Sequence, residues 1–219
     1  MSQAIIFDVE ATDKNDAVII EAASLDVTSL KPFEVGNPWV QRYNPGKPIS
    51  LGALATHHIM DEELVNCPAS SSFRLPAGTK YLIGHNIDFD WVAIGSPEVK
   101  RICTLALARS LWPELDSHTQ SALLYYFERD TAREQLRNAH SALADVWICS
   151  KIVARIIDKL HPVSLDALWE MSEKARIPTV MPYGKHKGEL ISQVPTDYKQ
   201  WLLRQDNVSG YLRKALEAK

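Results

Sequence analysis

No apolar stretch in the 219-residue chain approaches the ~20 residues needed to span a bilayer. Its first apolar run, MSQAIIFDVEAT, carries acids where a secretion signal would carry bases. A cytoplasmic, non-secreted protein with no membrane partner is expected. Cysteine is scarce: Cys67, Cys103 and Cys149 are odd in number, far apart and never in a C-x-x-C pair. That pattern excludes a disulfide framework and a zinc ribbon, and reads as reduced thiols, mostly in the core. His57-His58 near Cys67 makes a poor zinc site, because adjacent histidines point in different directions and no second cysteine lies nearby. Excess positive charge is also missing, since 24 Lys+Arg stand against 27 Asp+Glu for a net −3. No global basic field announces a nucleic-acid binder, so a polyanion would be held locally or through metal ions. Internal repeats and low-complexity segments are absent.

What is present suits a globular protein, with 46% hydrophobic and 23% charged residues. The length fits one domain with a small appendage. Ala4–Glu10, Ala17–Val27 and Pro38–Tyr43 read as strands, and their short spacing implies an antiparallel meander. Lys80–Gly84 reads as a short buried strand and Asn86–Ala93 as a helix. Arg101–Leu111 is a strand end passing into a helix, and Thr119–Phe127 is another helix. From Ala142, the positions Ala142, Val146, Cys149, Val153, Ile156 and Leu160 keep the 3–4 spacing of an amphipathic helix packed on a sheet. Beyond Pro162 the chain changes character, with short helical pieces around a Pro/Gly-bounded loop at Ile177–Leu190. The expectation is an α/β fold of 1–162, followed by a small C-terminal module at 163–219.

Three clusters carry the chemistry. Asp8 and Glu10 are two apart on a strand, so both leave the same face of an otherwise apolar segment. Two buried carboxylates need hydrogen bonds, protons or a cation. Gly84-His85-Asn86-Ile87-Asp88-Phe89-Asp90 follows a buried strand, the usual place for a site in a sheet protein. Asp90 is the candidate ligand there, although composition does not separate it from Asp88. The third cluster is Asn138-Ala139-His140-Ser141-Ala142-Leu143-Ala144-Asp145. Were His140 and Asp145 both fully helical, five residues would turn them ~140° apart. They converge only if His140 sits on the entering loop and Asp145 in the early turns.

The order D-x-E, H-N-x-x-F-D, H-x-x-x-x-D resembles the DnaQ-like, or DEDDh, 3′→5′ exonucleases from residue 4 to about 160. The resemblance implies an RNase H-like mixed sheet, with an antiparallel meander plus parallel strands flanked by helices. It also implies that Asp8, Glu10, Asp90 and Asp145 hold two Mg²⁺ or Mn²⁺ ions, hard cations suited to oxygen ligands. One ion would activate water and the other stabilise the leaving 3′ oxygen. His140 would be the general base, an ordinary imidazole being able to take a proton near neutral pH. The family opening D-x-E-T-T-G is only partly matched by Asp8-Val9-Glu10-Ala11-Thr12-Asp13, which leaves Ala11 and Thr12 to meet the substrate. Ala53-Leu54-Ala55-Thr56-His57-His58-Ile59 resembles the A-x-x-x-H-G-I stretch, with His58 in the glycine place and His57 facing the terminal nucleotide. His85 and Asn86 complete the expected substrate contacts of the central part, and Glu21 matches a recurrent acidic position expected to support the site rather than ligate.

The tail is similar to that of the exonuclease X subgroup, through Met181-Pro182-Tyr183-Gly184-Lys185-His186-Lys187-Gly188 and Tyr198-Lys199-Gln200-Trp201-Leu202. Cys103-Thr104, Leu107-Ala108-Arg109 and Leu111-Trp112-Pro113 also resemble it. Lys185 and Lys187, flanked by glycines, let a loop approach phosphates closely, and Tyr183 or Trp201 could stack or simply pack. The implied substrate is DNA with a 3′ end, single- or double-stranded, cut to nucleoside 5′-monophosphates. An RNA-trimming relative with the same catalytic residues is the first alternative. A non-catalytic nucleic-acid-binding module and a structural cation site are the others.

Overall fold

Ala4–Ala11 forms β1, the middle strand of a five-stranded sheet in the computed structural model, which describes residues 3–218 apart from the Asn138 side chain. The strand order is β3-β2-β1-β4-β5, with β2 at Ile19–Leu30, β3 at Phe33–Arg42, β4 at Tyr81–Gly84 and β5 at Lys100–Cys103. The first three strands pair antiparallel, and β4 and β5 join parallel to β1. The mixed sheet expected from the sequence is thus observed. β3 starts five residues before the expected Pro38, because a tight turn at Lys31-Pro32 lets Phe33 pair with Leu30 at once.

The alternation of β1 sorts its side chains onto two cores. Ala4 and Ile6 join Ala23, Leu25, Ile83 and Ile102 beneath the helices, whereas Ile5, Phe7 and Val9 pack with Tyr43, Phe73, Leu82 and Ile87 on the other face. Asp8 and Glu10 continue the helix-facing row. That face is covered by α7, at Ala142–Leu160, whose buried residues Ala142, Val146, Cys149, Val153 and Ile156 are those marked by the 3–4 spacing.

Between the strands lie α1 (Leu51–His57), α2 (Asp61–Leu64) and α3 (Asp88–Ala93), and after β5 come α4 (Thr104–Leu111), α5 (Gln120–Phe127) and α6 (Arg129–Gln135). Ser50 caps α1 and Thr119 caps α5, each side chain accepting a main-chain N–H of its helix. After α7 come α8 (Leu165–Ala175), α9 (Thr196–Leu203) and α10 (Gly210–Glu217). Although it follows residue 162, α8 packs on α4 and β5, and Leu168 is buried in the main core. A separate apolar cluster forms from Met181, Ile191, Val194, Leu202, Leu212 and Leu216, with Ile177 at its margin. Cys103 and Cys149 are buried and Cys67 half-buried, all with free thiols. Among the described residues no helix is long and apolar enough to cross a membrane.

Candidate active site

Two strand ends and one helix start meet beside β1. β4 pairs with β1 only as far as Ile6 opposite Ile83, then turns away at Gly84. Gly84 lies too close to its neighbours for any side chain, since a Cβ would sit 2.6 Å from Ile87 Cδ1 and 2.8 Å from the Phe7 carbonyl oxygen. The turn throws α3 across the opened edge of β1. There Asp90 Oδ1 accepts the Val9 N–H at 2.9 Å, taking the place of the missing strand partner. Asp90 is buried, while Asp88 points elsewhere and receives two N–H bonds from Arg176 at 2.8 and 2.9 Å. Backbone geometry thus sets the two aspartates apart, Asp90 turned onto β1 and Asp88 away from it.

From the helix side, Ser141 caps α7 in extended conformation and its hydroxyl accepts the Ala144 N–H at 3.4 Å. His140 precedes that cap in the left-handed region, φ 68°, on the entering loop. Its main-chain N–H faces the Asp145 carboxylate in the first turn. This is the arrangement that the ~140° argument requires if the two are to converge. Ligand oxygens of Asp8, Glu10 and Asp145 lie within 4.8 Å of one another, and Asp90 stands beside this group through its bond to Val9.

The electrostatics show what the cluster demands. Burial, and then repulsion from Asp90, Asp145 and Glu10, holds the Asp8 carboxyl well above the usual carboxylate range. Burial and its acidic neighbours push Glu10 up to about 9. Burial raises Asp90 to about 7 despite the Val9 hydrogen bond. Asp145 is also raised, chiefly by burial, although the His140 N–H opposes this. Hard oxygen donors crowded at this separation fit divalent Mg²⁺ or Mn²⁺, whose charge would reverse each of these shifts.

The substrate contacts expected from sequence are placed less uniformly. His57 is buried beside the strand end; its Nδ1 accepts the Ile59 N–H at 3.0 Å, which fixes the ring proton on Nε2. Nε2 faces the Ala11 carbonyl without a well-aligned hydrogen bond. His58 ends α1 in the left-handed conformation, φ 58°, the geometry that favours glycine at this position. Ala11 is buried and paired with Ile19, and Thr12 closes the β1–β2 loop by accepting the Val18 N–H at 3.2 Å. Asn86 is exposed on the turn before α3 with φ 68°. His85 differs from expectation: both ring nitrogens are engaged, Nδ1 with Thr104 Oγ1 at 3.0 Å and Nε2 with the His118 carbonyl at 2.8 Å. Burial accordingly pushes its pKa down to about 4, and it braces α3 against α4 rather than offering a nitrogen to substrate. Lys185 and Lys187 are exposed on the C-terminal module.

Sequence reasoning gave Glu21 only a supporting position without its partners. It lies opposite Glu10 in the β1–β2 register, accepts the Ala142 N–H at 3.0 Å through Oε1 and the Arg42 Nε–H at 3.0 Å through Oε2. Arg176 was not singled out at all. It is buried, and besides Asp88 it reaches the Tyr211 hydroxyl of α10 at 3.0 Å. A lone acid in the apolar run Ile20-Glu21-Ala22 is a readable signal for the first, whereas nothing local marks the second.

The chain is similar to known nucleases and polymerases. The chain is 27% identical over 205 residues to exodeoxyribonuclease 10 of Escherichia coli K12, covering 91% of this chain and 90% of the relative. It is 26% identical to the PolC-type DNA polymerase III of Bacillus subtilis, over 70% of this chain and 11% of that protein. Among solved structures, exonuclease X in complex with 5′ overhanging duplex DNA superposes with a TM-score of 0.64 at 25% identity, covering 77% of this chain and 99% of the other. The nuclease domain of the DEDDh family member 3′hExo bound to rAMP shares the fold, with a TM-score of 0.55 at 14% identity over 71% of this chain and 91% of that one. Residues 173–218 match the family described as putative quorum-sensing-regulated virulence factor. In sheet order and acidic cluster the chain is thus similar to the DnaQ-like, or DEDDh, 3′→5′ exonucleases. Within that class its likeness is to exonuclease X.

Proposed function

We propose that this chain is a metal-dependent 3′→5′ exodeoxyribonuclease that hydrolyses the last phosphodiester bond of a DNA 3′ end and releases a nucleoside 5′-monophosphate. The observation that carries the reading is the convergence of Asp8, Glu10 and Asp145 beside Asp90, with His140 on the loop next to Asp145. Asp8, Glu10, Asp90 and Asp145 would hold two divalent cations, Mg²⁺ or Mn²⁺. Bound there, such cations supply charge neutralisation at the phosphate and a more acidic water.

The protein's own groups do the rest. β1, α3 and α7 hold the four carboxylates in one place before substrate arrives, so little reorganisation accompanies the reaction. His140, exposed on its loop, takes the proton of the attacking water at its imidazole. The main chain around Ala11 and Thr12, backed by the buried His57, would border the terminal nucleotide, with the exposed Asn86 nearby. Lys185 and Lys187 are exposed on the part of the C-terminal module that follows α8, and would meet phosphates of the substrate there.

The test is time-resolved digestion of a 5′-labelled DNA oligomer and its RNA twin, with Mg²⁺ or EDTA, by the wild type and Asp8→Asn. A metal-dependent ladder shortening from the DNA 3′ end, abolished by the substitution, is expected. A ladder on RNA alone would assign the chain to RNA trimming, and none on either would leave a binding module.

A further inference from the structure

We infer that the loop 181–189 and α9 together build a second nucleic-acid contact, a stacking platform for a single-stranded segment of the substrate. This deepens the exonuclease reading and rests on it for the identity of the strand. Gly184 and Gly188 bracket Lys185-His186-Lys187 and both take left-handed backbone conformations, φ 81° and 86°. Gly184 passes so close to Tyr198 that a Cβ would lie 2.5 Å from its hydroxyl, and that hydroxyl accepts the Lys185 N–H at 3.3 Å. The basic loop is thereby seated on α9.

Three rings run in sequence along this seat. His186 meets Tyr198 edge-on with centroids 4.6 Å apart, and Tyr198 lies 5.4 Å from Trp201 at a tilt of 38°. The module's interior is filled by Met181, Ile191, Val194 and Leu202 beneath them, yet Trp201 remains 52% exposed. A large ring left in water while a complete apolar cluster lies under it is available to a partner. Lys185 and Lys187 are exposed and form no salt bridge among the described residues, whereas Glu189, the acid on the same loop, is engaged by His186 at 2.9 Å. Unpaired ammonium groups next to an open ring complement a strand that alternates phosphates with flat bases.

The experiment measures anisotropy of a fluorescein-labelled oligothymidylate on the full chain in EDTA, where turnover is stopped. Wild type, Trp201→Ala and the double variant Lys185→Glu/Lys187→Glu are compared, with thermal melting as the check of folding. Trp201→Ala is expected to weaken binding about tenfold. The double variant is expected to flatten the dependence of log affinity on log salt by about 0.7 for each lysine. Wild-type affinity and slope in both variants would overturn the platform, and loss on charge reversal without loss in Trp201→Ala would overturn stacking. The nuclease reading is checked separately, by release of p-nitrophenol from the p-nitrophenyl ester of thymidine 5′-monophosphate by wild type and Asp8→Asn in Mn²⁺. Failure there with lysine- and tryptophan-dependent binding would remove the chemistry and leave the platform standing.

Discussion

The Glu21 carboxylate accepts the main-chain N–H of Ala142 at 3.0 Å, so the strand residue opposite Glu10 holds the first turn of the helix that carries Asp145. The pair is 121 positions apart in the chain. It joins the two halves of the acidic cluster through a single bond to a helix N-terminus, where a negative group is favoured.

Glu21→Ala should therefore act on geometry. Losing the anchor leaves the Ala142 N–H without its acceptor and the Arg42 Nε–H without its own, at a cost of about 1–3 kcal/mol. Melting temperature and kcat should both fall, and Glu21→Gln should recover most of each because an amide oxygen still accepts the Ala142 N–H. A Gln variant as inactive as the Ala variant would instead make the charge of Glu21 part of the ligand set.

Stability of the metal-free protein should decline as pH rises. Glu10 and Asp90 are held in the fold at about 9 and about 7, against 4.5 and 3.8 as ordinary groups. Between those limits the folded state binds more protons than the unfolded state, so unfolding free energy falls with pH. The contribution is fully present below the ordinary carboxylate range and is lost as pH passes about 7 and then about 9. Chemical denaturation in EDTA from pH 4 to 10 would display the slope. Mn²⁺ should remove much of it, and Glu10→Gln should flatten its upper part.

His140→Ala should damage the chemical step by roughly 10²- to 10⁴-fold in kcat, the usual contribution of a positioned acid–base group. Affinity for an oligomer measured in EDTA should change little, since the imidazole is exposed at the loop and the substitution leaves the main chain beside Asp145 in place. Equal losses in binding and turnover would count against the proton-transfer role.

His58→Gly should stabilise. His58 is exposed and occupies the left-handed region at the end of α1, where a side chain costs about 1 kcal/mol that glycine avoids, less the entropy glycine adds to the unfolded chain. A rise of roughly 1–3 °C in melting temperature, with unchanged activity, is the expected outcome.

Arg176→Leu should loosen the C-terminal module. Its guanidinium is 4% exposed and joins Asp88 of α3 to the Tyr211 hydroxyl of α10, which in turn donates to Glu173 at 2.7 Å. Removing hydrogen bonds to a charged group costs about 1–3 kcal/mol. Limited proteolysis should then cut near residue 177 faster than in wild type, and an unchanged rate would show that apolar packing alone holds the module.

Much of this architecture was readable before any coordinates. An apolar run with a polar turn behind it exposed β1 and its two acids, and the 3–4 spacing located α7 with its start at Ala142. Helix geometry set the condition under which His140 and Asp145 can converge, and the residues meet it, His140 on the entering loop and Asp145 in the first turn. What stayed hidden was non-local. Asp88 and Asp90 look alike in sequence, and only the departure of β4 from β1 decides which one meets Val9. His85 sits inside a motif that resembles a substrate contact, yet its partners Thr104 and His118 come from distant segments that leave no trace around it. α6 was also missed, its polar sequence RDTAREQ offering one buried residue, Ala132, and no apolar stripe.

Position 84 sets a limit of a different kind. With Ile87 Cδ1 and the Phe7 carbonyl both within 3 Å of where a Cβ would be, the site tolerates hydrogen and nothing larger. One added methyl group would displace the turn that delivers Asp90, so the smallest substitution available in the molecule should be among the most damaging to catalysis. A survey that weighs residues by charge or reactivity would pass over it. The acidic centre thus depends on a residue whose contribution is the space it leaves empty.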